Sequence, residues 1–278
     1  MTAQDYQGDY LLGSSDAEHE RLILQAIRLA PVTERFFREA GIGLGQRVLD
    51  VGSGVGDVAM LLAGLVGSSG EIVAIERDAR SIDRARIRAS QRGLRNVTFV
   101  QTDIAQFSSD ASFDAAVGRF ILQFLPDPVV ALRFLSQRVR PGGVIAFQEP
   151  SWTPFVALSR HLPLWSAAVS LLHEVSVQSG VTMEMGPALH KAFKDAGLPA
   201  PSMRLEMELG HEPDFTAGFP MLFTASDHKF KNSTSPLKRS AISRPCRSDC
   251  KVKLPPQIQL CLGSRWWERT VGRPRIKR

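Results

Sequence analysis

Short apolar runs alternate with longer amphipathic stretches over the first 150 residues. Runs at 48–51, 72–75, 97–100, 113–117 and 144–147 have the length and composition of buried strands. The stretches between them carry apolar residues at helical spacing, for example at 58–66, 79–92 and 129–139. This alternation predicts an α/β fold with a parallel, doubly wound sheet and helices on both faces.

The flanking segments predict further helices. An extended arm at 1–13 precedes a helix capped within 14–16, which we expect Pro31 to interrupt before a second helix at 32–40. After a turn at 140–143 and the fifth strand, an apolar segment at 152–177 with two prolines predicts helices, and another helix is predicted at 187–196. Residues 203–209 alternate apolar and charged side chains, which predicts a half-exposed strand near a sheet edge.

Charge separates the last quarter of the chain from the rest. Residues 225–278 hold 14 basic and 3 acidic residues, a net charge of +11, which leaves −5 for residues 1–224 because the whole chain is at +6. All three cysteines, Cys246, Cys250 and Cys261, lie in this last quarter, so a disulfide framework in the main domain is excluded. Their spacings match no usual zinc signature. The abrupt loss of patterning favours an out-of-frame or alternative C-terminus over a nucleic-acid-binding arm.

No basic, apolar leader opens the chain, and its apolar runs are too short to cross a bilayer. We therefore expect a soluble, cytoplasmic protein. The expected domain organisation is an N-terminal arm with helices (1–44), a main domain (45–224) with a helical insertion at about 151–186, and a basic C-terminal tail of low order (225–278).

Three alternate glycines follow the first predicted strand. Gly52, Gly54 and Gly56 can take positive φ and allow a ligand to approach the backbone. Acids or polar turns also stand at the ends of predicted strands one to four: Asp50, Glu76, Asp103 and Gly118-Arg119. Because the carboxyl ends of parallel strands meet at one edge of the sheet, we expect these residues to lie near one another. Glu76 lies 20 residues beyond Gly56, a distance that suits a carboxylate binding both hydroxyls of a ribose.

Two cofactors fit such a site. A dinucleotide fingerprint is Gly-x-Gly-x-x-Gly with a pyrophosphate on the helix N-terminus, whereas this chain has Gly-x-Gly-x-Gly flanked by Asp50 and Asp57. Negative charge there disfavours a pyrophosphate and suits a ligand with an ammonium group, such as S-adenosylmethionine.

Five segments together resemble successive motifs of class I S-adenosylmethionine-dependent methyltransferases, closest to the ubiquinone/menaquinone-biosynthesis type. They are Asp-Val-Gly-Ser-Gly-Val-Gly at 50–56, Ile-Glu-Arg-Asp at 75–78, Gln-Thr-Asp-Ile at 101–104, Phe-Asp-Ala-Ala-Val at 113–117 and Arg-Pro-Gly-Gly at 140–143. The resemblance implies a Rossmann-like, mostly parallel sheet of seven strands, in the order 3-2-1-4-5-7-6, with an inserted helical lid. The last, antiparallel strand has no convincing candidate before the tail, so it is either missing or supplied by the tail.

The resemblance also implies roles for single residues in binding S-adenosylmethionine. Asp50 and the turn at Gly52, Ser53, Gly54 and Gly56 would hold the methionine end, with Gly118 and Arg119 below it. Glu76 would bind the ribose, while Arg77, Asp103 and Ile104 would lie at the adenine. Tyr10 would close the N-terminal arm over the cofactor. No metal is implied.

The implied reaction is methyl transfer to a small-molecule acceptor, apolar or aromatic to suit the lid. No catalytic base is assigned, and the candidates near the pocket mouth are Gln123, Glu149, Trp152, His161 and His173. An RNA or DNA methyltransferase using the basic tail and a non-catalytic cofactor-binding protein remain as alternatives. The former is disfavoured because the fourth strand is not followed by Asn/Asp-Pro-Pro-Tyr/Phe.

Overall fold

The computed structural model describes residues 14–207, without the side chains of residues 155, 159, 164, 165 and 168. Five strands form a parallel sheet in the order β3-β2-β1-β4-β5. Their bounds are β1 Arg47–Val51, β2 Glu71–Glu76, β3 Val97–Gln101, β4 Phe113–Arg119 and β5 Val139–Gln148. The helices are α1 Asp16–Glu39, α2 Asp57–Val66, α3 Ala79–Gln91, α4 Pro128–Ser136, α5 Thr153–Ser159, α6 Pro163–Gln178 and α7 Met185–Asp195. The predicted doubly wound α/β fold is confirmed.

Helices cover both faces of the sheet. On one face, α2 and α3 and the end of α1 bury residues such as Phe37, Leu62 and Ile82 against the strands. On the other face, α4 and α7 pack residues such as Leu132 and Phe193 onto the sheet. A third, smaller cluster forms between α6 and residues 181–183, and Phe124 and Trp152 pack against it. The two larger clusters therefore form the core around the sheet, and α6 with residues 181–183 forms a smaller third one.

The prediction that Pro31 splits α1 is wrong. The helix runs unbroken from Asp16 to Glu39, with Ser15 as its N-cap. Proline removes one backbone donor from a helix. The buried residues Ala26, Thr33 and Phe37 lie along the helix on both sides of the proline, and their packing holds the two halves as one helix.

The boundary between α4 and β5 also differs from the prediction. The helix ends at Ser136, three residues earlier than expected, and the predicted turn at 140–143 lies inside β5. Phe113 pairs with Val139 but Ala115 pairs with Val144, so the turn residues form a bulge in the strand. Gly142, at φ 76°, supplies the left-handed conformation that this bulge requires.

The strand predicted at 203–209 is not observed over its described residues, 203–207. Arg204 and Glu206 pair with Glu39 and Arg35 of α1, while Met203 and Leu205 stay exposed. No other strand within residues 14–207 lies beside this segment, so its alternating pattern has no sheet to join. Among the described residues, the sheet therefore has five of the seven strands that the resemblance implied.

Candidate functional site at the carboxyl edge of the sheet

The glycine turn between β1 and α2 uses its three glycines differently. The amides of Gly52 and Ser53 both donate to the carbonyl of Ile75, which ties the turn to β2. A Cβ on Gly52 would lie 2.5 Å from the Ile121 side chain, and one on Gly56 would lie 3.0 Å from Ala85. A Cβ on Gly54 would meet no atom within 4 Å. Two glycines are thus required for close packing, and the third borders open space.

Asp50 is the most unusual charge in this region. It is the second-to-last residue of β1, with 1% exposure, and its Oδ2 atom has no hydrogen-bond partner; the buried Ser53 hydroxyl has none either. Burial raises the pKa of Asp50 to about 7, with a further rise from Glu76 that the charge of Arg119 opposes. A buried carboxylate with one unpartnered oxygen and an unpartnered hydroxyl, beside an open turn, have the character of ligand-binding groups.

Glu76 reaches back to the glycine turn. Its Oε2 accepts the Gly54 amide at 3.0 Å, and its Oε1 accepts the amides of Arg77 at 2.8 Å and Asp78 at 3.0 Å. The carboxylate is therefore adjacent to the turn, as predicted, and it also braces the turn. The Arg77 side chain is exposed.

Gly118 and Arg119 are the last two residues of β4, at the same edge of the sheet as the glycine turn. A Cβ on Gly118 would lie 2.7 Å from both Ile121 and Phe147, so this position must stay small. Arg119 donates to the Thr33 hydroxyl of α1 at 3.2 Å. Burial lowers the pKa of Arg119, and the charges of Asp57 and Asp50 oppose that shift. Arg119 thus supplies a positive charge near Asp50.

Asp103 and Ile104 lie farther along the same edge, after β3. Asp103 is exposed, and its Oδ1 accepts the Ala105 amide at 2.8 Å, which caps a short 3₁₀ helix. The Thr102 amide donates to the carbonyl of Glu76, which keeps this turn beside β2. The structure thus brings eleven of the twelve predicted residues to the strand ends and turns at one edge of the sheet, with the Arg77 side chain exposed, while Tyr10 lies outside the described residues.

Sequence reasoning missed Arg88. This arginine is buried on α3 and donates to the Val55 carbonyl at 2.6 Å and to Asp57 Oδ1 at 2.6 Å, so it clamps the glycine turn against α3. Its pairing also neutralises Asp57. One sequence feature could have indicated its role: Arg88 is a basic residue on the same helical face as the apolar residues Ile82, Ala85 and Ala89.

Helix α1 crosses this edge. Its first turns bond to α3 through His19 and Ser81, at 3.2 Å, and through exposed ion pairs of Asp16 with Arg80 and of Glu20 with Arg84. Farther along, Thr33 donates to Gln148 Oε1 at 2.8 Å, at the end of β5. The helix therefore bridges the outer and inner parts of the site.

The candidate bases lie in different surroundings. His161 and His173 are exposed, and His173 lines a cleft of about 330 Å³ between α5 and α6, with Arg160 and Ser170. Trp152 packs in the third cluster. Burial raises the pKa of Glu149 to about 7, but its carboxylate accepts three amides of residues 121–123. Among the described residues, no cluster of metal-ligating side chains and no helix long and apolar enough to cross a membrane is present.

Comparison with known proteins identifies the family. A family model described as a methyltransferase domain matches residues 43–196, more than half of the chain. The chain belongs to this family, whose members use S-adenosylmethionine as methyl donor. The match covers the whole described sheet and helices α5 and α6.

Individual relatives cover parts of the chain. An aklanonic acid methyltransferase of Streptomyces sp. (strain C5) is 37% identical over 134 residues, 43% of this chain and 61% of the relative. A ubiquinone/menaquinone biosynthesis C-methyltransferase of Cellvibrio japonicus is 36% identical over 124 residues, 42% of this chain and 49% of the relative. The chain thus spans about half to three fifths of the length of these relatives.

A solved S-adenosylmethionine-dependent methyltransferase from Aquifex aeolicus is 26% identical. The match has a TM-score of 0.42 and covers 46% of this chain and 69% of the other. A TM-score this low supports no inference, and the fold assignment rests on the strand order and the family match.

Proposed function

We propose that the protein transfers a methyl group from S-adenosylmethionine to a small-molecule acceptor. The observation that carries the proposal is the buried Asp50 carboxylate, with an unpartnered oxygen, beside the open space at Gly54. A buried carboxylate calls for a cation or a donor. The α-ammonium group of S-adenosylmethionine supplies both.

The remaining residues of the edge fit the other parts of the cofactor. Arg119 and the Ser53 hydroxyl suit the α-carboxylate, because both can donate hydrogen bonds and Arg119 is positively charged. Glu76 Oε2 accepts one amide at present, so it retains acceptor capacity for a ribose hydroxyl. Arg77, Asp103 and Ile104 stay assigned to the adenine end, and Tyr10 to the closing arm.

A dinucleotide is the competing ligand, and the turn is poorly suited to it. Phosphates bind such turns through free backbone amides at the helix N-terminus. Here the Gly54 amide already donates to the Glu76 carboxylate, while the Gly52 and Ser53 amides donate to the Ile75 carbonyl. A pyrophosphate would have to displace a carboxylate and would then lie beside Asp50.

The contribution of the protein to the reaction is alignment and exclusion of water. S-adenosylmethionine would supply an activated methyl group for the acceptor's lone pair, with the electron pair of the broken carbon–sulfur bond left on sulfur. The Asp50–Arg119 pair would orient the methionine end, and α1 would cover the site. No free base is required when the acceptor arrives deprotonated.

The acceptor is proposed to be a small apolar or aromatic molecule bound under the α5–α6 insertion. Phe124 and Trp152 pack at the junction of this insertion with the sheet edge. The two relatives are named for aklanonic acid and for ubiquinone/menaquinone biosynthesis, which supports an organic acceptor. Within residues 14–207, no specific observation favours a nucleic-acid substrate, and a cytoplasmic location stays a prediction.

Calorimetry with S-adenosylmethionine and NAD tests the cofactor assignment. We expect the wild type to bind S-adenosylmethionine and not NAD, and Asp50→Asn and Glu76→Gln each to weaken that binding about tenfold, since each removes a charged contact. Glu71→Gln is the matched control, because Glu71 begins the strand that Glu76 ends and lies at the opposite sheet edge. Tight NAD binding, or affinity that neither site variant alters, would contradict the proposal.

The affinity is also expected to depend on pH through Asp50. Since the carboxylate form binds the ammonium, affinity should rise about tenfold from pH 5.5 to pH 7, the range below the pKa of about 7. An α-amino group stays mostly protonated there, as its pKa is about 7.7–8.0. Asp50→Asn should bind weakly at every pH. Retention of the full pH dependence in that variant would assign it to another group, such as Glu149.

The contribution of Asp50 to the stability of the fold is expected to fall with rising pH, whereas its contribution to cofactor affinity rises. The pKa of Asp50 is raised in the fold, so its stabilising contribution is fully present below the unfolded value near 3.8 and is lost as pH rises through about 7. In denaturant titrations, the stability of Asp50→Asn relative to the wild type should therefore be higher at pH 8 than at pH 4. The variant should still bind the cofactor less well than the wild type.

A further inference from the structure

We infer that Glu149 is a positioning residue for the cofactor, which acts by holding residues 120–123 against the glycine turn. The inference rests on the proposed function and assigns a role to a side chain that does not itself contact the cofactor. Glu149 follows the end of β5, and the loop it holds follows the end of β4.

Three consecutive main-chain amides converge on this one carboxylate. Oε1 accepts Ile121 N at 3.0 Å and Leu122 N at 2.9 Å, and Oε2 accepts Gln123 N at 3.3 Å. These are the first amides of a short 3₁₀ helix, which have no partner within that helix. The charged acceptor therefore satisfies the donors of the whole turn at once.

The loop needs this support because it begins with a strained residue. Phe120 has φ 56°, and it is the one non-glycine residue among the described residues with a positive φ. A non-glycine side chain in this region is strained, because its Cβ lies too close to the backbone carbonyl oxygen. On the β5 side, Phe120 N donates to the Gln148 carbonyl at 2.9 Å, immediately before Glu149. The end of β5 thus fixes both the strained residue and the amides that follow it.

Ile121 links this loop to the cofactor turn. Its side chain occupies the space that a Cβ on Gly52 or on Gly118 would fill, at 2.5 Å and 2.7 Å respectively. It is therefore wedged between the turn after β1 and the end of β4, below the proposed methionine end. If the Ile121 amide is released, the wedge can shift and the turn loses its floor.

The same contacts argue against Glu149 as the catalytic base. Both carboxylate oxygens are already occupied by main-chain donors, and the residue is half-buried against the loop. A base must face a proton on the acceptor. The other end of the loop is equally fixed, because the Gln123 carbonyl accepts Thr182 N at 2.9 Å. Glu149 thus acts through Ile121.

The test uses calorimetry with S-adenosylhomocysteine and amide hydrogen exchange on the full chain. Glu149→Gln keeps the shape but loses the charge and one acceptor, so we expect about tenfold weaker binding and faster exchange at residues 121–123. Glu149→Asp keeps the charge and both acceptors, and it should recover binding to within about threefold of wild type. Ile121→Ala removes the wedge itself and should weaken binding about as much as Glu149→Gln.

Glu184→Gln is the matched control. Glu184 also binds a turn through its carboxylate, accepting the amides of Trp152 at 3.0 Å and Thr153 at 2.7 Å, but this turn begins α5. Its substitution should leave cofactor affinity within about twofold of wild type.

Three results would overturn the inference. The first is faster exchange at 121–123 in Glu149→Gln with unchanged affinity, and the second is an equal loss of affinity in Glu184→Gln. The third is unchanged affinity in Ile121→Ala, which decides the matter if Glu149→Gln does not fold. Absence of binding by the wild type would instead reject the proposed function, and this inference with it.

Discussion

Gly52→Ala is expected to destabilise the fold by about 3 kcal/mol and to abolish measurable cofactor binding. At φ 67° the new Cβ incurs the left-handed penalty of about 1–2 kcal/mol, and at 2.5 Å from Ile121 it adds an overpacking cost of about 1–3 kcal/mol. Ile121 cannot retreat freely, since Glu149 holds its amide. Urea denaturation measures the first effect and calorimetry the second.

Gly54→Ala separates strain from crowding. Its φ is 51°, but its Cβ would meet no atom within 4 Å, so we expect a loss of only about 1 kcal/mol. In an Ile121→Ala background, Gly52→Ala should cost less than in the wild type, because the two sites are in contact and do not add. Equal losses of unfolding free energy in Gly52→Ala and Gly54→Ala would show that the Ile121 side chain moves away from the new Cβ without a cost in stability.

Arg21→Met is expected to destabilise the protein by about 3–5 kcal/mol. Arg21 and Glu18 form a two-pronged ion pair in α1, with both contacts at 2.7 Å and side-chain exposures of 5% and 0%. Removing the cation leaves Glu18 as a buried, uncompensated charge. Denaturant unfolding of the variant at pH 8 measures the loss.

Two comparisons test that explanation. Arg38→Met breaks an ion pair with Glu34 in the same helix whose side chains are 60% and 46% exposed, and it should cost less than about 1 kcal/mol. Burial already raises the pKa of Glu18, against the opposing effect of Arg21, so Arg21→Met should raise it further. A raised carboxyl pKa means that stability is lost as pH rises, so the variant should be less impaired at pH 5 than at pH 8. An equal loss of unfolding free energy at pH 5 and at pH 8 would rule out an uncompensated Glu18 charge as its cause.

The sheet was predictable because its three inner strands, β2, β1 and β4, are buried along most of their length. Each of β1 to β4 is a short apolar run with a polar residue or turn at its end, so the pattern locates both the strand and the edge where the polar groups meet. The orphaned oxygen of Asp50 follows from that placement. Local sequence determines these features, and the structure confirms the fold they imply.

Features that depend on distant contacts were not predictable. The continuity of α1 through Pro31 reflects packing on the sheet layer, and the bulge in β5 combines a turn signal with strand pairing on both sides. Arg88 reaches the glycine turn from 31 residues away, and Glu149 reaches Ile121 from 28. Nothing in the local pattern of residues 203–207 reveals whether another strand lies beside them.

The main-chain contacts of Glu149 have a consequence for how acceptor specificity can be altered. Because the carboxylate binds the amides of Ile121, Leu122 and Gln123 and no side chain of that loop, its hold does not depend on the identity of residue 123. A library that varies Gln123, a residue predicted to lie near the pocket mouth, while keeping Ile121 and Glu149 would therefore leave the three amide contacts of this carboxylate in place. Such a library would test whether residue 123 influences the choice of acceptor without removing the support of the loop.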